Sequence, residues 1–535
     1  MKTMISSIIL ASCLALPLAS CSDSDAAPEQ KDWSTTTYFY SADAAMQDTY
    51  YKPTVGYVGD PMPFFDPVAG DFKVLYLQDF RPNPEGTYHP IWGVSTKDAA
   101  HYTSLGELVS CGTKKSQDAA IGTGSTIYDE SSKLYYTFYT GNKYLPTGDE
   151  SAQAVMVATS SDFKTWTKDR TFLLKGQDFG YDKTDFRDPF VFKGDDGKFH
   201  MLVSTKKGGK GSLAEFVSDD LKTWTDNGVF MTMMWDRFYE CPDLFKMGDY
   251  WYLVYSEIHH AIRRVQYFKG RTLDELKACT ANDAGRWPDA HEGFLDSRGL
   301  YAGKTASDGT NRYLWGWCPT RSGKDNTAVG ASPAEPEWGG NLVCYKLIQH
   351  EDGTLTLGQV DAVSEKYNQD VAVEVKESQN MTEADGTYTL AGNAELPDAY
   401  MLMGRLGNHN KISFTVTTSN EWDKFGISMV RGSDSKKYYT MVVNPENENN
   451  RKVNFEEQGV EGKGFIAGID GYVFARPADN VYNITIYTDN SICVMYINDV
   501  CSYTNRIYGI QKNCWSINSY NGANVKISNL KISQY

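Results

Sequence analysis

Positive charge is in deficit. The 52 Lys and Arg are outnumbered by 68 Asp and Glu, and the formal net charge is −16. A surface of that sign repels phosphate backbones and anionic headgroups, which excludes nucleic-acid binding and electrostatic membrane binding as main roles. Zinc chemistry is equally poorly supplied. There are only eight His, and the ten Cys form no C-x-x-C pair and find no His partner at zinc spacing. Convincing long helices are missing; residues 272–278 would make two turns at most. The one sustained apolar run, Met4 to Leu18, is too short to span a bilayer.

That run follows Lys2 and reads as a signal peptide over residues 1–20. It ends in Leu18-Ala19-Ser20-Cys21, which resembles the lipobox of bacterial lipoproteins. The resemblance implies that Cys21 is the lipidated mature N-terminus. The chain would then be anchored at the bacterial cell envelope, in the periplasm or at the outer surface, touching the membrane only through its lipid. The plainer alternative is an ordinary secretory signal that ends near a Cys. Residues 21–45 read as a tether, opening with the polar stretch Ser22 to Gln30. The other Cys beyond Cys13 and Cys21 look like scattered core thiols, with Cys493 and Cys501 the nearest pair for a disulfide in an exported protein.

Aromatics are plentiful: 12 Trp, 35 Tyr and 24 Phe. Over residues 46–350 they sit in short β-type runs such as Phe72–Leu77, Leu134–Tyr139, Phe199–Ser204 and Tyr250–Tyr255, separated by Gly, Asp and Asn turns. The stretch Ser160-Ser161-Asp162-Phe163-Lys164-Thr165-Trp166 recurs as Ser218-Asp219-Asp220-Leu221-Lys222-Thr223-Trp224, with a weaker copy from Ser95 to Tyr102. A period of about sixty residues carrying about four strands is a propeller blade, and residues 46–350 accommodate five. Trp166 and Trp224 are then packing residues. Residues 351–376 read as a linker. From 377 to 535 the alternation is cleaner, as in Lys411–Val416 and Tyr482–Tyr487, and indicates a β-sandwich. The expected fold is all-β, a five-bladed β-propeller followed by a C-terminal β-sandwich, and the expected state is a monomer.

Three acidic stretches share one character: Gly59-Asp60-Pro61, Phe186-Arg187-Asp188-Pro189-Phe190 and Glu240-Cys241-Pro242-Asp243. Each sets a carboxylate among apolar residues with Pro within two positions. Each precedes a blade's Tyr/Phe-rich second strand, so all three are expected on the propeller axis, in one funnel. Singly, an Asp before Pro is most often a turn residue and an Arg–Asp pair is often structural. Together they can cleave an acetal, which needs one carboxyl as acid and another as nucleophile. Arg187 would hold Asp188 ionised, suiting it to grip sugar hydroxyls. Glu240, between Tyr239 and Cys241, is the better candidate for a raised pKa and the acid role, which leaves Asp60 as nucleophile.

These motifs, together with Leu75-Tyr76-Leu77-Gln78, Trp92-Gly93, Thr123-Gly124-Ser125, Leu314-Trp315-Gly316-Trp317 and, in the sandwich, Thr504-Asn505-Arg506-Ile507-Tyr508, occur in an order that resembles glycoside hydrolase family 32, the invertases, inulinases and levanases. The resemblance implies a retaining β-fructosidase acting on fructans of levan or inulin type. Asp60 would be the nucleophile, Glu240 the acid/base and Asp188 the transition-state stabiliser. Arg187, Gln78, Trp92 and Ser125 would bind substrate, with no metal and no cofactor. Two alternatives stay open: an arabinan- or xylan-acting hydrolase of the family 43 type, and a non-catalytic glycan-binding propeller. The family pattern Trp-Met-Asn-Asp-Pro-Asn-Gly departs here to Tyr57-Val58-Gly59-Asp60-Pro61-Met62-Pro63. Gly59 cannot supply the hydrogen bonds of an Asn, so substrate selectivity is expected to differ at this point.

Overall fold

The computed structural model describes residues 49–80, 88–233, 238–257, 264–282, 293–320, 338–431, 438–445, 452–458, 472–474 and 476–535. The signal peptide, the tether and Cys21 lie outside them. Up to residue 358 the chain folds into successive antiparallel meanders. The first contains β1 (Tyr57–Asp66), β2 (Asp71–Asp79), β3 (Ile91–Thr96) and β4 (Thr103–Val109). The second contains β5 (Ala120–Asp129), β6 (Leu134–Asn142), β7 (Gln153–Ser160) and β8 (Thr167–Lys168). Next come β9 (Phe186–Lys193), β10 (Phe199–Lys207), β11 (Lys210–Ser218) and β12 (Thr225–Thr232). They are followed by β13 (Glu240–Met247), β14 (Tyr250–Glu257) and β15 (Arg264–Gly270). The last holds β16 (Tyr301–Ser307), β17 (Arg312–Pro319), β18 (Gly340–Gln349) and β19 (Leu355–Gly358).

The first strand of each meander is innermost. β1 contacts β5, β5 contacts β9, β9 contacts β13, β13 contacts β16 and β16 contacts β1, which closes a ring. Val58 of β1 also pairs with Gly340 of β18, so the last meander is hydrogen-bonded to the first. This is a β-propeller. The repeated motif forms its outer turns. Ala99, Phe163 and Leu221 occupy equivalent left-handed positions at φ +58, +60 and +63. The Thr96, Ser160 and Ser218 hydroxyls each accept a backbone N–H within the turn. Tyr102 and Trp224 bond back to the carbonyls of Ala99 and Leu221, and Trp166 packs edge-on against Phe163. The repeated aromatics are therefore structural, and the weak copy at 95–102 is a true member of the set.

The segment expected as a linker is ordered and belongs to both halves. β19 pairs with β18, residues 361–366 form a helical turn and a half, and Gln369–Val371 pairs with the last strand of the chain. The C-terminal part stacks two antiparallel sheets. Burial alternates strictly along His409–Thr418, as one core-facing side demands, and Ile412, Met441, Trp515 and Ile517 fill the space between the sheets. Cys493 and Cys501 are both free thiols. They lie on adjacent strands, but the register sets Cys493 opposite Asn505 and Cys501 opposite Ile497, so no disulfide can join them.

Buried polar groups tie the two parts together. Arg506 of the sandwich donates to the carbonyls of Cys318 (2.9 Å) and Pro319 (3.0 Å), to Asn341 Oδ1 (2.6 Å) and to Ser491 Oγ (3.0 Å). Asp296 accepts from Thr504 N, Thr504 Oγ1 and Ser502 Oγ. At the start of the described chain, the Thr49 and Tyr50 amides both donate to Asp489 Oδ2. Removing Arg506 strands several buried acceptors at once. Arg506→Leu is expected to lower the unfolding free energy by about 3 kcal/mol, measured by urea denaturation. A loss below about 0.5 kcal/mol would show that these bonds contribute little net stability.

Candidate active site

Each inner strand carries a β-bulge at the same level. The register breaks between Gly59 and Met62, Gly122 and Gly124, Glu240 and Asp243, and Tyr301 and Lys304, and β9 breaks at Asp188-Pro189. At four of them the bulged residue has positive φ: Asp60 (+26), Asp188 (+57), Cys241 (+51) and Ala302 (+52). In three, a Pro follows. It has no N–H to lose from the ladder, which suits a position where pairing lapses. The bulge turns Asp60, Thr123, Asp188, Cys241 and Ala302 toward the axis as one layer. The residues just before them, Gly59, Gly122, Arg187, Glu240 and Tyr301, form the layer above.

These two layers bring the three predicted carboxylates close enough to act on one another, each with its own donors. Asp60 accepts from Trp317 Nε1 at Oδ1 (2.9 Å) and from Thr123 Oγ1 at Oδ2 (2.7 Å). Glu240 accepts from Arg187 Nη2 at Oε1 (3.0 Å) and from the Tyr301 hydroxyl at Oε2. Asp188 Oδ2 accepts from the Cys241 amide (2.9 Å), and the Asp188 amide donates to Thr140 Oγ1 (2.9 Å). Burial pushes the Asp60 carboxyl above its ordinary range against the pull of Thr123 and Trp317.

Arg187 acts differently from expectation. Its guanidinium lies 3.8 Å over the Phe238 ring and donates to Asp185 (2.6 Å) and Glu240, while its Nε is 4.0 Å from Asp188. It therefore does not hold Asp188 at an ordinary carboxylate value. Burial dominates, Arg187 and the Cys241 amide offset part of it, and the Asp188 carboxyl is pushed up to about 6.

The remaining candidates divide. Gln78 is fully buried on β2 opposite Val58, and its Nε2 donates to Val55 O. Trp92 packs edge-on against Phe80 (5.9 Å) in a small apolar knot with Val55, beside Gln78. Ser125 is committed elsewhere: its hydroxyl donates to Pro189 O and accepts from Val191 N, both at 2.9 Å, stitching β5 to β9. The hydroxyl at the site belongs to Thr123, two residues earlier. Sequence reasoning also missed Trp317 and Tyr301. The available signal was register: Thr123-Gly124 and Ala302-Gly303 occupy the same strand position as the X-Pro pairs.

Gly59 has a structural cause. A Cβ built there would lie 2.1 Å from Cη2 of Trp338. The indole fills the place an Asn side chain would take, stacked on His89 (4.1 Å, 19°) and 6.0 Å from Trp317. Beside the nucleophile candidate, an amide is replaced by an apolar wall. No group of three or more His, Cys, Asp or Glu arranged for a metal occurs among the described residues.

Residues 50–360 match the model described as "Glycosyl hydrolases family 32 N-terminal domain", and residues 353–532 match "GH32, BT1760-like, C-terminal domain". The chain belongs to glycoside hydrolase family 32. It is 25% identical to a sucrose-6-phosphate hydrolase of Vibrio alginolyticus over 237 residues, 42% of this chain and 45% of that protein. It is 26% identical over 310 residues to the insoluble β-fructofuranosidase isoenzyme CWINV2 of Arabidopsis thaliana, covering 52% and 50% of the two chains. The chain thus spans about half the length of these relatives. Across the whole fold, the structure of fructan 1-exohydrolase IIa from Cichorium intybus superposes with a TM-score of 0.67 at 15% identity, covering 91% of this chain and 97% of that one. Sucrose-6-phosphate hydrolase from Lactobacillus gasseri gives 0.65 at 18%, covering 92% and 94%. The propeller-plus-sandwich architecture is the one shared with these family 32 structures.

Two outcomes are expected. Gly59→Asn should lower the unfolding free energy by about 1–3 kcal/mol through overpacking, and Trp338→Ala in the same chain should restore most of it; an additive pair would refute the steric coupling. The second concerns pH. Asp188 is raised from 3.8 to about 6 on folding. Its folded state therefore favours the proton, and the stability it contributes is full below about pH 4 and lost as pH rises through about 6. Wild type should lose about 2–3 kcal/mol relative to Asp188→Asn between pH 4 and 7.5. Parallel stability curves would refute the assignment.

Proposed function

We propose that this protein is a retaining glycoside hydrolase that cleaves β-fructosidic bonds in fructans of levan or inulin type, or in fructo-oligosaccharides. The observation that carries the reading is the Asp60 carboxylate, fixed by one donor on each oxygen and set beside Glu240 on a separate strand of the same ring. Glu240 protonates the leaving oxygen as Asp60 attacks the anomeric carbon. The glycosidic bond breaks and a fructosyl–Asp60 ester forms. Glu240 then takes a proton from water as its oxygen attacks the same carbon, and Asp60 leaves as carboxylate. The Trp317 and Thr123 donors orient Asp60 for both steps. Asp188 grips sugar hydroxyls from the floor of the funnel.

The electrostatics favour a neutral polyol over a phosphorylated sugar. The cation at the mouth, Arg187, is held by Asp185 and Glu240, and Lys206 pairs with Asp185 (3.3 Å). The Trp338–His89 stack next to Asp60 suits the apolar face of a furanose ring.

Sugar release from levan, inulin, sucrose and arabinan tests the substrate class. Release from levan or inulin with lower rates on sucrose is expected; release from arabinan alone would overturn the reading. Glu240→Gln should lower kcat by roughly 10³-fold while Tm stays within a few degrees. A variant nearly as active as wild type would refute the acid/base role.

A further inference from the structure

Two residues beyond each bulge, the inner strands contribute a third layer to the axis, below the carboxylates: Met62, Ser125, Phe190, Asp243 and Lys304. Four of them have evident packing or bonding roles. Met62 Sδ takes the Gly124 amide, Ser125 stitches β5 to β9, Phe190 packs against the apolar cluster of Leu202, Leu213 and Leu253, and Asp243 Oδ2 accepts the Thr305 amide (2.6 Å). Lys304 is the exception. It is 2% exposed on the innermost strand of its meander, where an ammonium is costly to place. Its Nζ donates to Gly124 O (2.8 Å) and lies 5.3 Å from the centre of the Phe190 ring. No carboxylate comes within 4.0 Å of it among the described residues.

The surroundings say what this charge is for. Gly124 O is the carbonyl next to Thr123, whose hydroxyl holds Asp60. Phe190 is two residues from Asp188. The titratable groups acting on Lys304 are Cys241 and Asp243 on β13, Asp188 on β9 and Asp60 on β1; Arg187 and Glu240 act on Asp188, and Arg312 of β17 acts on Asp243. Arg187 is engaged with Asp185 and Glu240, while Arg312 stands beside Asp243 and donates to Thr305 Oγ1 (2.8 Å). Asp243 and Cys241 share Lys304 with Asp188 and Asp60, and Asp188 also has Arg187 beside it. Burial pulls the Lys304 ammonium down from its ordinary value; Cys241, Asp243, Asp188 and Asp60 pull it back.

We propose that Lys304 is a positioning residue for the reaction: a buried counter-charge that keeps Asp60 ionised, and so nucleophilic, while fixing the Gly124–Thr123 segment that orients it. This rests on the assignment of Asp60 as nucleophile. Burial raises the Asp60 carboxyl, its Thr123 and Trp317 donors pull it back, and the charge of Glu240 raises it further. A fixed, buried cation in the layer below acts on Asp60 across a poorly screened path.

The test is the pH profile of kcat/KM on a fructan that wild type cleaves. Without the cation, Asp60 is harder to ionise. Lys304→Met should therefore move the acidic limb upward by roughly one pH unit, with about a tenfold loss below the limb and a much smaller loss on the alkaline side. Asp243→Asn, which removes a negative charge from the same layer, should move the limb the other way. A merely structural role would depress activity at every pH and give no opposite shift. An unmoved limb in both variants, or shifts of the same sign, overturns the proposal; if Lys304→Met does not fold, an unmoved limb in Asp243→Asn overturns it alone. A wild type that releases no sugar from any fructoside defeats the nucleophile assignment and this inference together, whereas an active wild type with unshifted variants defeats only the inference.

Discussion

The site depends on one backbone device, a bulge that breaks the ladder of each inner strand at a common depth. A regular strand alternates its side chains, and successive residues could not both serve the axis. The bulge lets Arg187 and Asp188, or Glu240 and Cys241, occupy consecutive layers of one funnel. Its cost is a left-handed residue at Asp60, Asp188, Cys241 and Ala302, about 1–3 kcal/mol of strain each where the residue is not Gly. The closed ring of strands over-determines these conformations, since no inner strand can relax without disturbing both neighbours. The Pro after three of them removes an amide that the bulge would otherwise leave unpaired.

The second constraint is that the ring must stay closed at β1 and β18, because Trp317 and Trp338 come from the closing meander, Trp317 donating to Asp60 and Trp338 covering Gly59. Here the sandwich takes part. Arg506 reaches from it to the carbonyls of Cys318 and Pro319, immediately after Trp317, and to Asn341 just beyond Gly340. The partner of the nucleophile candidate is thus braced from a different domain. The segment 351–376 is ordered for the same reason: a flexible tether could not hold Arg506 in register with those carbonyls.

Much of this was legible in the sequence. A sixty-residue period with a recurrent Ser/Thr-x-Asp turn gave the propeller, and strict alternation beyond residue 377 gave the sandwich. Asp60, Asp188 and Glu240 were found because Pro marks their bulges. Thr123 was passed over for Ser125 because Gly takes the place of Pro there, and only pairing registers show that Thr123 is the bulged residue. The influence of Arg187 on Asp188 was misjudged because burial, which the motif does not show, outweighs it, and because the guanidinium also serves Asp185 and Glu240. The linker looked bare because β19 and Gln369–Val371 are too short to show a period.

Gly59 shows how the wall beside Asp60 can change while the carboxylates keep their places. Read alone, a Gly before the nucleophile candidate is a loss of hydrogen bonding. Beside Trp338 it is the space that an indole requires, 2.1 Å from where a Cβ would stand. The two positions therefore constrain each other: a side chain at 59 excludes the indole, and the indole excludes the side chain. Asp60 keeps both of its donors in this arrangement, because Trp317 and Thr123 approach from other strands. What changes is the wall that a bound sugar would meet, from a hydrogen-bonding amide to an aromatic face. An amide selects the position of a hydroxyl; an aromatic face selects the exposure of C–H groups. The departure from the family pattern thus alters the wall beside Asp60 and leaves the three carboxylates where the bulges place them.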